Sequence, residues 1–470
     1  MTSPPLKHLA FAGRLVMVGF GCIGQGSLPL LLRHIEMTPS QVLVITPDEA
    51  ELRIAREMGA DVLAAGLTRD NLSAVLAERL RAGDFLLNLS VNVSSKALIA
   101  LCKDLRVLYL DTCIEPWAGG YDDASVQPSH RTNYALRESA LALRSRGGPT
   151  ALLTHGANPG LVSHFVKQAL LDMARDSGLA TPVPDGRRGW AALAQRLEIR
   201  AVHISERDTQ VSGIHKSQDE FVNTWSAEAF VDEGIQPAEL GWGTHETHFP
   251  LDGLRHEAGC RASIYLNCPG ASVRVRSWTP LAGAIHGFLI THSESISIAD
   301  HLTVGDRERP EYRPTVHYAY HPCDDAVLSI HELAERNWRM QSRQRVMKDD
   351  IVSGMDELGV LLMSASHGAY WYGSQLSIEQ TRALCPRNSA TSLQVAAGVL
   401  TGVVWVMKNP ACDVIEPDDL PHDDMLALAR PYLGDVVGVR THWTPLQDRS
   451  RLFREKIDSL DPWQFRNVRV

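Results

Sequence analysis

Over its first third the chain alternates short, almost wholly apolar runs with amphipathic stretches of helical period. Residues 14–20, 41–45, 84–89 and 107–111 predict strands, and 25–34, 49–58 and 133–144 predict helices. Strands that are apolar at every position bury both faces, so this pattern predicts a Rossmann-like α/β unit, a parallel sheet with helices on either side. Near residue 150 the pattern changes. A strand at 150–154 leads into the loop HGANPG (155–160) and a helix at 161–175, while the Pro- and Gly-bearing residues 181–189 predict a surface loop. From about 195 to 330 the period falls to two, as in 197–204 and 272–278, and predicts a half-exposed antiparallel sheet. The longest apolar stretch, 393–407, is interrupted by Gln394 and two glycines. It falls short of the roughly 20 residues of a bilayer span and predicts a buried helix closed by Pro410.

A chain of 470 residues exceeds what one core supports. The expected division is a dinucleotide-binding domain at 1–150, an α+β substrate-binding and dimerisation domain at 151–400, and a segment at 401–470 packing back on the first domain. A net charge of −9 argues against nucleic acid as the main partner, since phosphate binding needs a basic surface. The eight cysteines never form a CxxC pair and no signal peptide is evident, which predicts reduced thiols in the cytoplasm.

The strand ending at Val18 runs into GFGCIG (19–24) and then a helix. In that spacing Gly19 permits the tight turn, Gly21 lets backbone N–H groups approach a pyrophosphate, and Gly24 allows close helix–strand packing. The context, strand before and helix after, is that of a nicotinamide dinucleotide site. Such folds usually place an acid at the end of the second strand for the ribose hydroxyls, but Thr46 stands here, with Asp48 two residues on and Arg53 as the nearest arginine. NAD is the expected cofactor, held by Gly19, Gly21, Cys22, Ile23, Gly24, Thr46 and Asp48.

In the second half, carboxylates, indoles and amides cluster in SERDTQ (205–210), residues 223–233, PAELGWG (237–243) and THSES (291–295). Acids and ring faces around one pocket suit an ammonium ligand, through charge-assisted hydrogen bonds and cation–π attraction of about 0.5–2 kcal/mol. His317 and His321 have the spacing of a zinc pair on a helix but lack the catalytic Glu and a third ligand. They read as paired polar residues at a turn or strand, and no metal is expected.

These motifs, with IEPW (114–117), GANPG (156–160), FVNTWS (221–226), RSWTP (276–280), HYAYHPC (317–323), YWYGSQL (370–376) and DPWQFRNV (461–468), make the chain resemble the bacterial homospermidine synthases nearly end to end. The resemblance implies a saccharopine-dehydrogenase-like fold, a homodimer, and NAD-dependent joining of two putrescines into sym-homospermidine with release of ammonia. It implies an inner amine site at Glu206 and His292, with Trp225 facing the cationic intermediate and Asn158 bridging cofactor and substrate. Glu115, Glu233 and Glu294 would line the pocket or its mouth, and Asp111 and Thr112 would lie near the nicotinamide. Asn92 departs from the acid the family tends to carry at the pocket mouth.

Putrescine is a dication in water, so one amine must lose a proton before hydride can leave the adjacent carbon; His292 is the expected base by residue type. Two alternatives stand beside this reading. A saccharopine- or carboxyspermidine-dehydrogenase-type oxidoreductase would need a cation for a substrate carboxylate. An NAD-binding polyamine sensor would need no catalytic groups.

Overall fold

The structure, a computed structural model, describes residues 7–179 and 182–470. The first sheet holds β1 (Leu15–Val18), β2 (Val42–Thr46), β3 (Asp61–Ala64), β4 (Phe85–Asn88), β5 (Leu108–Asp111) and β6 (Ala151–Leu152) in the order 3-2-1-4-5-6. All are parallel, and a short strand at Val414–Ile415 extends the sheet beyond β6. This is the doubly wound order of dinucleotide-binding folds, whose crevice lies where the order reverses, between β1 and β4. Helix α1 (Cys22–His34) follows β1 and begins at the second glycine, three residues before the sequence pattern suggests. α2 (Glu49–Glu57) is capped by Asp48, whose side chain accepts the N–H groups of Ala50 and Glu51. Further along this unit, beyond a short helix at Leu72–Ala77, α3 (Ser95–Leu105) and α4 (Asn133–Leu141) each carry a hydroxyl cap.

The second unit begins with α5 (Leu161–Asp176), followed by a ten-stranded mixed sheet. Its strands are β7 (Ile199–Asp208), β8 (Pro237–Gly241), β9 (Gly253–Arg255), β10 (Ser263–Pro269), β11 (Arg274–Thr279), β12 (Gly283–Phe288), β13 (Thr315–His321), β14 (Met355–Ser364), β15 (Gly368–Ser377) and β16 (Asp435–Thr441). The main path runs β9-β10-β8-β13-β7-β14-β15-β16, with the β11–β12 hairpin joined through β12 to β13. β13 and β7 are parallel and the other pairs antiparallel. α6 (Ala227–Ile235), α7 (Ser293–His301) and α8 (Ala390–Lys408) complete the elements that build the site.

The half-exposed pattern expected at 272–278 is seen in β11, which alternates partly exposed and buried positions, but the expectation is corrected for 197–204. β7, β14 and β15 are buried on both faces: α5 packs across one, and the β11–β12 hairpin with Trp443 and Trp463 covers the other. The period of two came from polar side chains that are paired inside, such as Ser205 with Ser277, rather than solvated. Of the loop expected at 181–189, Thr181 lies outside the described residues, and a helix starts at Gly186.

The chain after residue 400 divides between both units. Val414–Ile415 joins the first sheet, whereas β16, Trp443 and Trp463 pack on the second. A boundary at 400/401 falls inside α8. That helix is long and apolar enough to cross a membrane, yet 89% of its most apolar window is buried in the fold, where it lies along α1.

Candidate active site

A cavity of about 550 Å³ opens at the carboxyl ends of β1, β2 and β4 and runs from the glycine loop to β7, α6 and the start of α7. Gly19 sits at φ +82°, and a Cβ there would stand 2.7 Å from the Leu89 carbonyl oxygen, so only glycine makes this turn against β4. α1 carries no acid in its first turn and Gly21, its N-cap, has no side chain; the first N–H groups of α1 are free to receive a pyrophosphate. The residues therefore fit a dinucleotide. Gly19, Gly21, Cys22, Ile23, Thr46, Asp48 and Thr112 all line the cavity.

Gly24 does not line it; it lets α1 close on Phe20, where a Cβ would stand 3.0 Å from the ring. Asp111 also stays out of the cavity. It is wholly buried, accepting the Thr154 N–H at 2.6 Å and the Tyr109 hydroxyl at 2.8 Å, and burial raises its pKa to about 7. Its carboxylate fixes the turn after β6, while the adjacent Thr112 lines the cavity. Asp48 spends its Oδ1 on the helix cap.

At the inner end, Glu206 (β7), Asn158, Trp225, His292 and Tyr318 (β13) meet. Asn158 Nδ2 donates to Glu206 Oε2 at 2.9 Å, and the Tyr318 hydroxyl donates to the same oxygen. Burial raises Glu206 to a pKa of about 7, with Asp208 adding to the rise and Tyr318 opposing it. Asp356, on β14, bonds to Glu206 and is itself pushed well above the carboxylate range by burial and by Glu206 and Asp208. The Trp225 Nε1–H donates to the Tyr320 hydroxyl at 3.2 Å, which fixes the half-buried indole against the cavity.

His292 lies between two acids, Nε2 at 2.9 Å from Glu233 and Nδ1 at 3.2 Å from Glu294. Burial opposes its charge, but the two carboxylates outweigh burial and hold the pKa well above that of a free imidazole. Both ring nitrogens of His292, the base expected by residue type, are thus engaged by carboxylates. Glu294 stands behind His292 rather than on the cavity wall, and its Oε2 is buried without a donor.

Nearer the mouth, Glu115 is raised to about 8 by burial together with Asp232 and Glu233. Asp232 is raised to about 7 by burial, Glu228 and Glu233, and its Oδ2 is buried without a donor. Asn92, at φ +64°, donates its backbone N–H to Glu115 at 3.3 Å and its amide to Glu228 at 2.8 Å. Acids thus crowd this cavity, buried enough that proton or cation must compensate them. No Lys or Arg lines it among the described residues.

Sequence reasoning missed Glu51, Tyr318 and Asp356, while Glu228 and Asp232 fall within the acid-bearing stretch 223–233 that it singled out. Tyr318 stood in a quoted motif, HYAYHPC, but was read as part of a paired-histidine strand; Asp356 carried no local signal, since only the β7–β14 register brings it beside Glu206. His317 lies on β13, its Nδ1 against the Tyr318 carbonyl, and no cluster of metal ligands occurs among the described residues.

The doubly wound unit, the mixed sheet and the acid-lined cleft between them define a two-domain enzyme of the saccharopine dehydrogenase class. The "Saccharopine dehydrogenase NADP binding domain" description matches residues 15–152, and "Saccharopine dehydrogenase C-terminal domain" matches 156–439. Within that class the chain belongs to the homospermidine synthase family. It is 51% identical to the homospermidine synthase of Blastochloris viridis over the whole of both chains. It is 46% identical to that of Mesorhizobium japonicum, covering 97% of this chain and 96% of the relative. The crystal structure of the Legionella pneumophila homospermidine synthase in complex with NAD superposes with a TM-score of 0.92 at 47% identity, covering 98% of each chain.

Proposed function

We propose that the chain is a homospermidine synthase that joins two putrescines into sym-homospermidine and releases ammonia, with NAD as a cofactor left unchanged by each turnover. The carrying observation is one cavity that brings Glu206, Asn158, Trp225 and His292 to the glycine loop without a lysine or arginine on its wall. A dehydrogenase acting on an amino acid needs a cation for the carboxylate, and this wall offers none among the described residues.

Glu206 receives one ammonium of the first putrescine and can take its proton, because a carboxylate raised to about 7 is matched to neutral pH. Asn158 and Tyr318 hold that carboxylate in place. Bound at the glycine loop, NAD supplies an acceptor for one hydride and returns it later in the same turnover. Loss of hydride leaves an iminium carbon, which the amine of a second putrescine attacks. A C–N bond forms, ammonia departs, and the resulting Schiff base is reduced.

Every carbon intermediate is a cation. Trp225 presents a ring face to it, stabilising charge without a nucleophilic oxygen that could trap it. His292 bridges Glu233 and Glu294 and so fixes the acids that meet the second amine. Glu115, Asn92 and Glu228 flank the mouth, and a dication would relieve the crowded acids.

The same proposal assigns residues 1–150 to the cofactor, 151–400 to substrate, and a homodimer in the cytoplasm as the working form. Eight free cysteines suit a reducing compartment, and exposed Leu452, Phe453 and Leu460 offer apolar surface for a second copy. Incubation of the full chain with putrescine and catalytic NAD should yield the triamine by mass spectrometry with no net rise at 340 nm. A stoichiometric rise, or no triamine, would overturn the reading.

A further inference from the structure

Thr46 stands where the ribose acid is expected, at the end of β2, yet its hydroxyl is not free for a ribose. It accepts the Asp48 N–H at 3.3 Å and donates to Glu51 Oε2 at 2.7 Å. Glu51 lies in the first turn of α2 and reaches back over the end of β2. Its Oε2 also accepts the Phe20 N–H of the glycine loop at 3.2 Å. Two bonds to one oxygen fix the carboxylate, while Oε1 stands 3.6 Å from where a Cβ on Gly21 would be. Glu51 is half-buried and lines the cavity, between the glycine loop and the Ala65–Gly66–Leu67 stretch after β3.

We infer that Glu51 is the residue that selects NAD over NADP, with Thr46 as its holder. This rests on the NAD-dependent reading above. The adenosine ribose of a dinucleotide lies beside the end of the second strand in this fold, offering two hydroxyls as donors. A fixed carboxylate with one free oxygen accepts such a donor in a charge-assisted bond. A 2′-phosphate would instead bring about two negative charges against that carboxylate. No Lys or Arg on the cavity wall offsets them among the described residues, and Arg53 is exposed on the outer side of α2. Asp48, the nearer acid in sequence, has its Oδ1 engaged by two backbone N–H groups.

The test is direct binding of NAD and NADP to the full chain by calorimetry, without putrescine, for wild type, Glu51→Gln and Thr46→Val. Wild type should bind NAD at least about 100-fold more tightly than NADP. Glu51→Gln should cut that ratio by about 10-fold or more, through weaker NAD and stronger NADP binding together. Thr46→Val, which removes the holder but no charge, should move the ratio the same way by about 3-fold. An unchanged ratio in Glu51→Gln overturns the assignment, as does a wild type that binds both dinucleotides alike. Should Glu51→Gln fail to fold, Thr46→Val decides: a ratio like wild type's overturns the proposal and a lowered one supports it. A wild type that binds neither dinucleotide overturns the NAD-dependent reading itself, an outcome distinct from a preserved ratio.

Discussion

Trp225 has one polar handle, and it is tied: the Nε1–H bonds to Tyr320, while the residue lines the cavity. Phe lacks that bond but keeps a π face, so Trp225→Phe should keep part of the activity. Trp225→Ala should lower kcat by about 10-fold or more with NAD affinity unchanged, since a desolvated cation–π contact is worth about 2 kcal/mol. Equal rates in both variants would remove the role. Glu206 carries a different prediction. Its pKa is raised to about 7, so as pH falls through that value the carboxylate becomes neutral and loses its hold on ammonium. Activity should therefore show an acid limb near 7. In Glu206→Gln that limb should vanish and kcat/KM should drop by about 100-fold; a limb that persists in the variant would assign it to another group. Residues legible in the sequence were those inside local motifs, such as Asn158 in GANPG and Trp225 in FVNTWS. Glu51 was not legible, because an acid in a first helical turn is already explained by the helix dipole, and nothing local says that it reaches back to Phe20.

At the scale of elements, the first unit could be read almost strand by strand, because wholly buried parallel strands are continuous apolar runs with glycine punctuation. β3 escaped, since Asp61–Ala64 is an edge strand with partly exposed positions. The second sheet announced its period but not its burial or its order; the parallel β7–β13 pair joins residues more than a hundred apart. α8 was legible as a buried helix, but not what it presses against. A Cβ on Gly398 would stand 2.0 Å from the Gly156 carbonyl oxygen and 2.4 Å from its carbon, so the helix touches the backbone that carries Asn158. The Gly398 carbonyl oxygen also accepts from His155 Nδ1–H at 3.0 Å, tying the two elements at the same spot. Gly398→Ala gains helix propensity, yet it must push that loop away. The steric term should win, with a loss of about 1–3 kcal/mol in denaturant unfolding and weaker binding of putrescine. Full stability and unchanged KM would show that the loop can move aside freely.

Across the whole molecule, the cavity exists only while two units keep their relative placement, and Arg137 is built to hold it. From α4 of the first unit its Nε and Nη2 grip Glu416 at 2.6 and 2.8 Å, and Nη2 also reaches Asp300 on α7 of the second at 3.1 Å. The side chain is 2% exposed, so these charges sit where water cannot screen them. Arg187 and Arg307 also reach Asp300. Burial alone would raise Asp300, but Arg137 with these two neighbours outweighs it and brings the pKa down to about 2. A carboxylate depressed in the fold contributes stability that is present above its unfolded value of 3.8 and lost as pH falls through about 2. Exchange of the whole triad for apolar groups would be a different experiment from removing one partner, because the latter strands a buried charge. Arg137→Met strands Glu416, which has no second strong cation: Arg144 stands 3.8 Å away and is half exposed. The variant should lose about 3–5 kcal/mol in denaturant unfolding, while Arg137→Lys, which cannot grip Glu416 with two parallel bonds, should lose less. If the contact also sets the cleft, KM for putrescine should rise in Arg137→Lys while NAD affinity holds, because His292 is the N-cap of α7 whereas the glycine loop belongs wholly to the first unit. A Met variant as stable as wild type would mean that the two units are fixed by their apolar contact alone.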